Sequence, residues 1–349
     1  MKRLAGFLAA LVLTAGPALA VNQDVVMADK PARTLSAYEL FTDMAAQEPA
    51  KGVVPYDLNT PLFTDYAAKF RFVHLPDGQS APYNDSEVFD FPVGTVLVKT
   101  FAYPADYRKP DDNIRLIETR LLIHKTDGWV AFPYVWNDEQ TEAVLKVAGA
   151  RTELTWIDDQ GQEKGTRYVV PNINQCKGCH IYNKAMTPIG PKARNINKDF
   201  AYADGTKNQI AVWSAHGILT GAPDPADAPR VPNAFDLADG SLEKRARAYL
   251  DVNCAHCHRA GGPGDTSGLF LTWDEDNPVT YGVEKRPVAA GRGSGGLDFD
   301  IAPGKPDQSI IIFRMSSTEP GIAMPELGRT INHDEGIALV REWIAALDE

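Results

Sequence analysis

The chain has 349 residues, 44% of them hydrophobic, which is enough for two or three domains with packed cores. With 46 acidic against 35 basic side chains its formal charge is −11, which argues against nucleic acid or anionic lipid as a partner. A solvated acidic surface is the plainer meaning of that charge.

In chain order, the first twenty residues, MKRLAGFLAALVLTAGPALA, stand apart. Lys2 and Arg3 precede an apolar run, and Ala18-Leu19-Ala20 forms a small-x-small cleavage site. This is the pattern of a secretory signal peptide cut after Ala20, so a periplasmic product is expected. No later stretch reaches the ~20 apolar residues of a membrane span, so no transmembrane segment is expected. Without Lys2 and Arg3 the formal charge becomes −13.

The segment TLSAYELFTDM has apolar spacing suited to a short helix. From about residue 88 to 170 the period turns to strand. VGTVLVKTFAY is β-branched and alternating; IRLIETRLLIHKTDGWVAFPYVW reads as a hairpin turning at Thr-Asp-Gly; ARTELTWIDDQGQEKGTRYVV reads as a second, turning at Asp-Gln-Gly. Residues 216–240 are rich in proline, alanine and aspartate and are expected to be a linker. Beyond it, SLEKRARAYLDVNC places Leu242, Ala246, Tyr249 and Leu250 on one helical face and delivers Cys254 at its end. Asn332 and Glu335 have N-cap and N3 spacing for a final amphipathic helix carrying Leu339, Val340, Trp343, Ile344 and Leu347. The expected fold class is α+β multidomain. A β-rich domain over 21–215 precedes the linker, and a mainly α-helical domain follows it over 241–349.

All four cysteines fall in two copies of one pattern, NQCKGCH and NCAHCH. In an exported chain four cysteines ordinarily suggest two disulfides, but that reading does not account for the histidine that ends each copy. C-x-x-C-H is the attachment pattern of c-type haem. Two intervening residues let both sulfurs reach one porphyrin edge, and the adjacent histidine supplies the proximal nitrogen. Chance would produce one such motif in roughly one chain in a thousand of this composition, and two far more rarely. A zinc site would use paired CxxC but does not need the histidine twice. A thioredoxin-like site would want a single CxxC. Two covalently bound haem c groups are therefore expected, held by Cys176 and Cys179 and by Cys254 and Cys257, with His180 and His258 as proximal ligands to iron.

Methionine opposite the histidine raises the potential of a haem iron relative to a second histidine. Met324, in PGIAMPELG just before the last helix, is the candidate for the second haem, with Pro325 stiffening its loop. Met315 is expected to pack in a helix or strand. For the first haem the candidates are Met186, six residues beyond His180, and then His216. His74 and His124 lie in the β-rich part, and an open position also satisfies the sequence. His256 is expected at the surface or at a haem edge, His333 at the start of the helix. Lys177, Lys184, Lys192, Arg194 and Lys198 form a basic run around the first motif, suited to haem propionates, to an acidic partner or to solvent.

GVVPYDLNTPLFTDYAAKFRFVHLP, FPVGTVLVKTFAYP, YVWNDEQTEA and NQCKGCH…PIGPKARNIN together resemble an uncharacterised bacterial family of exported dihaem c-type cytochromes. The resemblance runs from about Leu35 to the end and implies dihaem binding and export. The C-terminal unit is similar to single-haem cytochrome c domains. The β-rich part is also similar to β-type cytochromes c′ and their lysine-crosslinked relatives, in which an open-faced haem sits on a β scaffold; there Lys99 would be the residue to watch. The function expected is single-electron transfer with a redox protein as donor or acceptor and no catalytic residue. The alternatives are a haem enzyme with an open first iron, acting on peroxide or a small nitrogen compound, and an electron-accepting subunit of a dehydrogenase.

Overall fold

The computed structural model describes residues 20–288 and 290–348; the expected signal peptide, through residue 19, lies outside them. The fold mixes helix and strand, and sheet dominates its N-terminal part. The main sheet has six strands: β1 (Val53–Tyr56), β2 (Ala68–His74), β3 (Val96–Pro104), β4 (Ile114–Lys125), β5 (Gly128–Trp136) and β6 (Ala143–Leu145). They pair antiparallel in simple chain order, so each neighbour is reached by a turn rather than a crossover. The expected hairpins are present. β4 and β5 turn at Thr126-Asp127, and β7 (Ala150–Ile157) with β8 (Glu163–Val170) forms the second.

Alternation sends side chains to two faces. One face carries Phe72, Val96, Val98, Leu121, Ile123 and Tyr134, packed under the N-terminal residues Val26, Leu35, Tyr38 and Leu40. TLSAYELFTDM does not form the expected helix. It gives a single 3-10 turn at Ser36–Tyr38 and a short strand at Phe41–Asp43, because Tyr38, Leu40 and Phe41 are all drawn onto the sheet. The opposite face carries Val73, Leu97 and Leu122 and is covered at one end by Trp213 and Ile218. Farther along that face the sheet opens on a cavity.

The stretch expected to link two units is stitched to the first one. Leu219–Thr220 pairs with Ala81–Pro82, and the buried Asn59 and Thr60 side chains bond the carbonyls of Val231 and Pro232. Phe101, Tyr103, Trp156 and Tyr168 pack a further core between the main sheet and the second hairpin, and another core is helical: α3 (Leu242–Asn253) and α5 (Asp334–Ala345) cross, with α4 (Ile310–Met315) beside them, around Tyr249, Leu250, Trp343 and Ile344. The short helices that precede these include α1 (Ile173–His180) and α2 (Gln209–Ala215). The C-terminal part is tied to the first by Asp65, whose carboxylate accepts from Thr330 N (2.7 Å), Thr330 Oγ1 (2.8 Å) and Ile331 N (3.1 Å). α5 begins without the expected Asn332 cap. His333 stands at the N-cap position, while the Asn332 side chain bonds Ser316 O and accepts from Arg329.

Candidate functional site

The first CxxCH lies on α1. Asn172 and Gln175 close a reciprocal capping box at its start, fixing a helix too short to be stable alone. Cys176 and Cys179, three apart, then share one side of the helix. His180 ends it, and its Nδ1 donates to Thr187 O at 2.9 Å, leaving Nε2 as the nitrogen with a free lone pair. Burial pushes this imidazole down to about 4, so the ring is neutral at ordinary pH.

The second CxxCH begins where α3 ends. Cys254 is the C-cap, and Cys257 N and His258 N both donate to its carbonyl, at 3.1 and 2.9 Å, in a tight turn. Gly262 is needed beside that turn: a Cβ there would lie 2.6 Å from Cys257 O. The His258 ring is held by Ser267 Oγ (3.4 Å from Nδ1) and by the backbone of Leu269, and burial lowers it to about 4.

Residues of both motifs line one cavity: Cys176, Cys179 and His180 from one side, Cys254 and His256 from the other, with Met324 closing it from the loop before α5. Cys257 and His258 are not on that lining. The sulfurs of Cys179 and Cys257 and a ring nitrogen of His256 lie within 4.8 Å of one another. As a free thiol, Cys179 is held down chiefly by a hydrogen bond from Cys257, and the same bond pushes Cys257 up. His256, expected at a surface or an edge, lines the cavity, and its Nδ1 is buried with no hydrogen-bond partner.

Met324 is held in place by Arg329. That guanidinium donates through Nη2 to the carbonyls of Met324 (2.9 Å), Ser317 (2.7 Å) and Arg314 (3.3 Å), and through Nη1 to Asn332 Oδ1 (2.8 Å). Met315 lies in α4 and is buried, as expected for packing, though it also borders the cavity. The other sixth-ligand candidates lie off the cavity lining. Met186 pairs with Ile181 in a short hairpin and packs against the Trp213 core, and His216 is exposed at the C-cap of α2. His74 bonds Gly52 O and Gln23, and His124 stacks on Trp129, both away from the lining. The basic run divides: Lys177 and Lys184 are exposed, whereas Lys192 and Arg194 are buried near Asp251.

Two features of the cavity had no sequence signal. His333 stacks on Phe63 (ring centroids 4.1 Å apart) and its Nδ1 meets Tyr249 Oη at 3.0 Å; burial holds it down at about 3. A basic row, Arg71, Lys99 and Arg120, forms the sheet side of the cavity. Both features join residues from distant segments, so no local spacing announces them. No known protein family, curated protein or solved structure matches the chain.

Proposed function

We propose that the protein is an exported, periplasmic dihaem c-type cytochrome that passes single electrons between its two irons and a redox partner. The observation that carries this reading is that residues of both CxxCH motifs line one cavity and that Cys179 and Cys257 lie side by side. Bound there, the two groups would supply reversible one-electron storage at iron. Cys176 and Cys179 would anchor one, Cys254 and Cys257 the other. His180 and His258 are neutral, and the ring contacts at their Nδ1 atoms turn Nε2 toward the metal role, as in histidines that ligate through one nitrogen and donate from the other. Met324 would complete the second iron, on a loop whose carbonyls Arg329 bonds.

The residues fit such a group in a further respect. Arg71 Nη2, Arg329 Nε and His256 Nδ1 are buried without partners, and all three side chains line the cavity. Orphaned donors of this kind are rare in a folded interior and are satisfied when an acceptor fills the space. The α3–α5 pair with a methionine loop between them suits the cytochrome c-like reading of the C-terminal part, and the acidic surface suits a partner with a basic face.

A second reading, an enzyme with an open first iron, is favoured by the absence of Met186 and His216 from the cavity lining. The test is the full chain made in a strain competent in covalent haem attachment. Two haem masses on the denatured chain and a reducible spectrum are expected, with Cys176→Ser/Cys179→Ser losing one haem. A mass equal to the bare processed chain would sink both readings. Two low-spin irons in the oxidised protein would favour transfer, and one high-spin iron that takes up CO would favour the enzyme.

A further inference from the structure

Arg71 on β2 lies directly opposite Lys99 on β3, and Lys99 directly opposite Arg120 on β4. Three cations thus stand in one row across three adjacent strands, on the same side of the sheet, and all line the cavity. Like charges placed directly opposite on a sheet repel. The two flanking arginines have carboxylates. Asp57 takes Arg71 Nη1 at 2.5 Å and is shared with Lys198 at 3.2 Å; Glu118 takes Arg120 Nε at 2.9 Å and Nη2 at 2.5 Å, together with the Tyr168 hydroxyl at 2.6 Å. Lys99, in the middle, has no carboxylate among the described residues; its ammonium lies over the Phe101 ring at 4.9 Å. Arg71 is 5% exposed, yet its Nη2 has no partner.

With Lys99 charged, this partly buried row has one more cation than anion, an excess that an anion beside it would balance. The next positions along the same face, Val73, Leu97 and Leu122, are apolar. We propose that the Arg71–Lys99–Arg120 row is an anion site, built to hold a carboxylate or a small oxyanion inside the cavity. The free edge of the Arg71 guanidinium offers planar donors suited to two oxygens, and Lys99 offers a point charge between the arginines. Burial, and then the neighbouring Arg71 and Lys69, push the Lys99 amine well below its usual range, and an anion beside it would act in the opposite direction.

The anion has two possible sources with the same chemistry: a propionate of a haem bound in the cavity, which rests on the functional reading above, or a free oxyanion from solution. The experiment uses the full processed chain, wild type and the variants Lys99→Met and Lys99→Arg, with Lys99→Gln as a second neutral variant. One arm follows the melting midpoint and the visible spectrum during titration with sodium nitrite or sodium phosphate, with chloride balancing ionic strength. A free-oxyanion site gives a saturable response in wild type and Lys99→Arg, weakened about tenfold or more in Lys99→Met. The other arm measures the two reduction potentials. A propionate site gives no response to added salt, but removing the cation lowers one potential, and Lys99→Arg restores it. Folded neutral variants with unchanged potentials and no saltable difference from wild type would overturn the proposal. Should the chain carry no haem, the functional reading fails, and the titration arm by itself decides the anion site.

Discussion

Arg194 and Asp251 join the segment after the first motif to the helix that delivers the second. Arg194 Nη2 and Nε reach Asp251 Oδ1 and Oδ2 at 3.1 and 3.3 Å, Arg194 Nη1 donates to Ser86 O at 2.6 Å, and Asp251 also accepts from Trp273 N at 3.1 Å. Both side chains are buried, at 6% and 1% exposure. Arg194→Ala leaves a carboxylate in the interior with Lys192 as its nearest cation, and breaking a buried pair from one side costs about 3–5 kcal/mol. Denaturant unfolding should show that loss, and Arg194→Met combined with Asp251→Asn should recover most of it. The pH dependence has a definite sign. In wild type, burial pushes the Asp251 carboxyl up, but Lys192 and Arg194 outweigh it and hold it below 3.8, so its stabilisation is present at neutral pH and is lost as pH falls through that lowered value. Without Arg194 only Lys192 opposes burial and the carboxyl rises from its wild-type value, so the deficit is largest near neutrality and shrinks on acidification. A single-mutant cost below about 1 kcal/mol, typical of an exposed pair, or a deficit that grows in acid, would refute this account.

Met324→Ala should leave both haem masses in place but convert one iron to high spin, and Met324→His should keep it low-spin at a lower potential; EPR and a redox titration check both. Arg329→Met should strip the Met324 loop of its charged hydrogen bonds, at about 1.5–3 kcal/mol for the first one lost, and the methionine-ligated signature should disappear on heating before the helices melt. Gly336→Ala puts a Cβ 2.3 Å from Tyr249 Oη where α5 crosses α3, so thermal unfolding should report a loss of about 1–3 kcal/mol. Asp65→Ala removes the acceptor for three donors of the Thr330–Ile331 segment and should destabilise by about 1–3 kcal/mol, with limited proteolysis falling first near residue 330.

The strands between residues 88 and 170, both hairpins, α3 and α5 are legible in the sequence because each depends on a period of two or 3.6 and on turn residues within a few positions, whereas β1 and β2 are not predicted as strands. The same holds for the two CxxCH motifs, whose chemistry needs only the reach of five adjacent residues. Asn332 failed as a cap because the Ser316 carbonyl, sixteen residues back, and Arg329, three residues back, take its side chain. The Leu35–Phe41 stretch lost its helix to a sheet face that wanted its aromatics. Folding alone decided that Cys179 and Cys257 meet, that Met186 and His216 stand off the cavity, and that Arg71, Lys99 and Arg120 form a row. Each of those facts is a distance between segments remote from one another in sequence, and such distances are set by how the strands pair and the sheet and helices pack, which no spacing along the chain encodes.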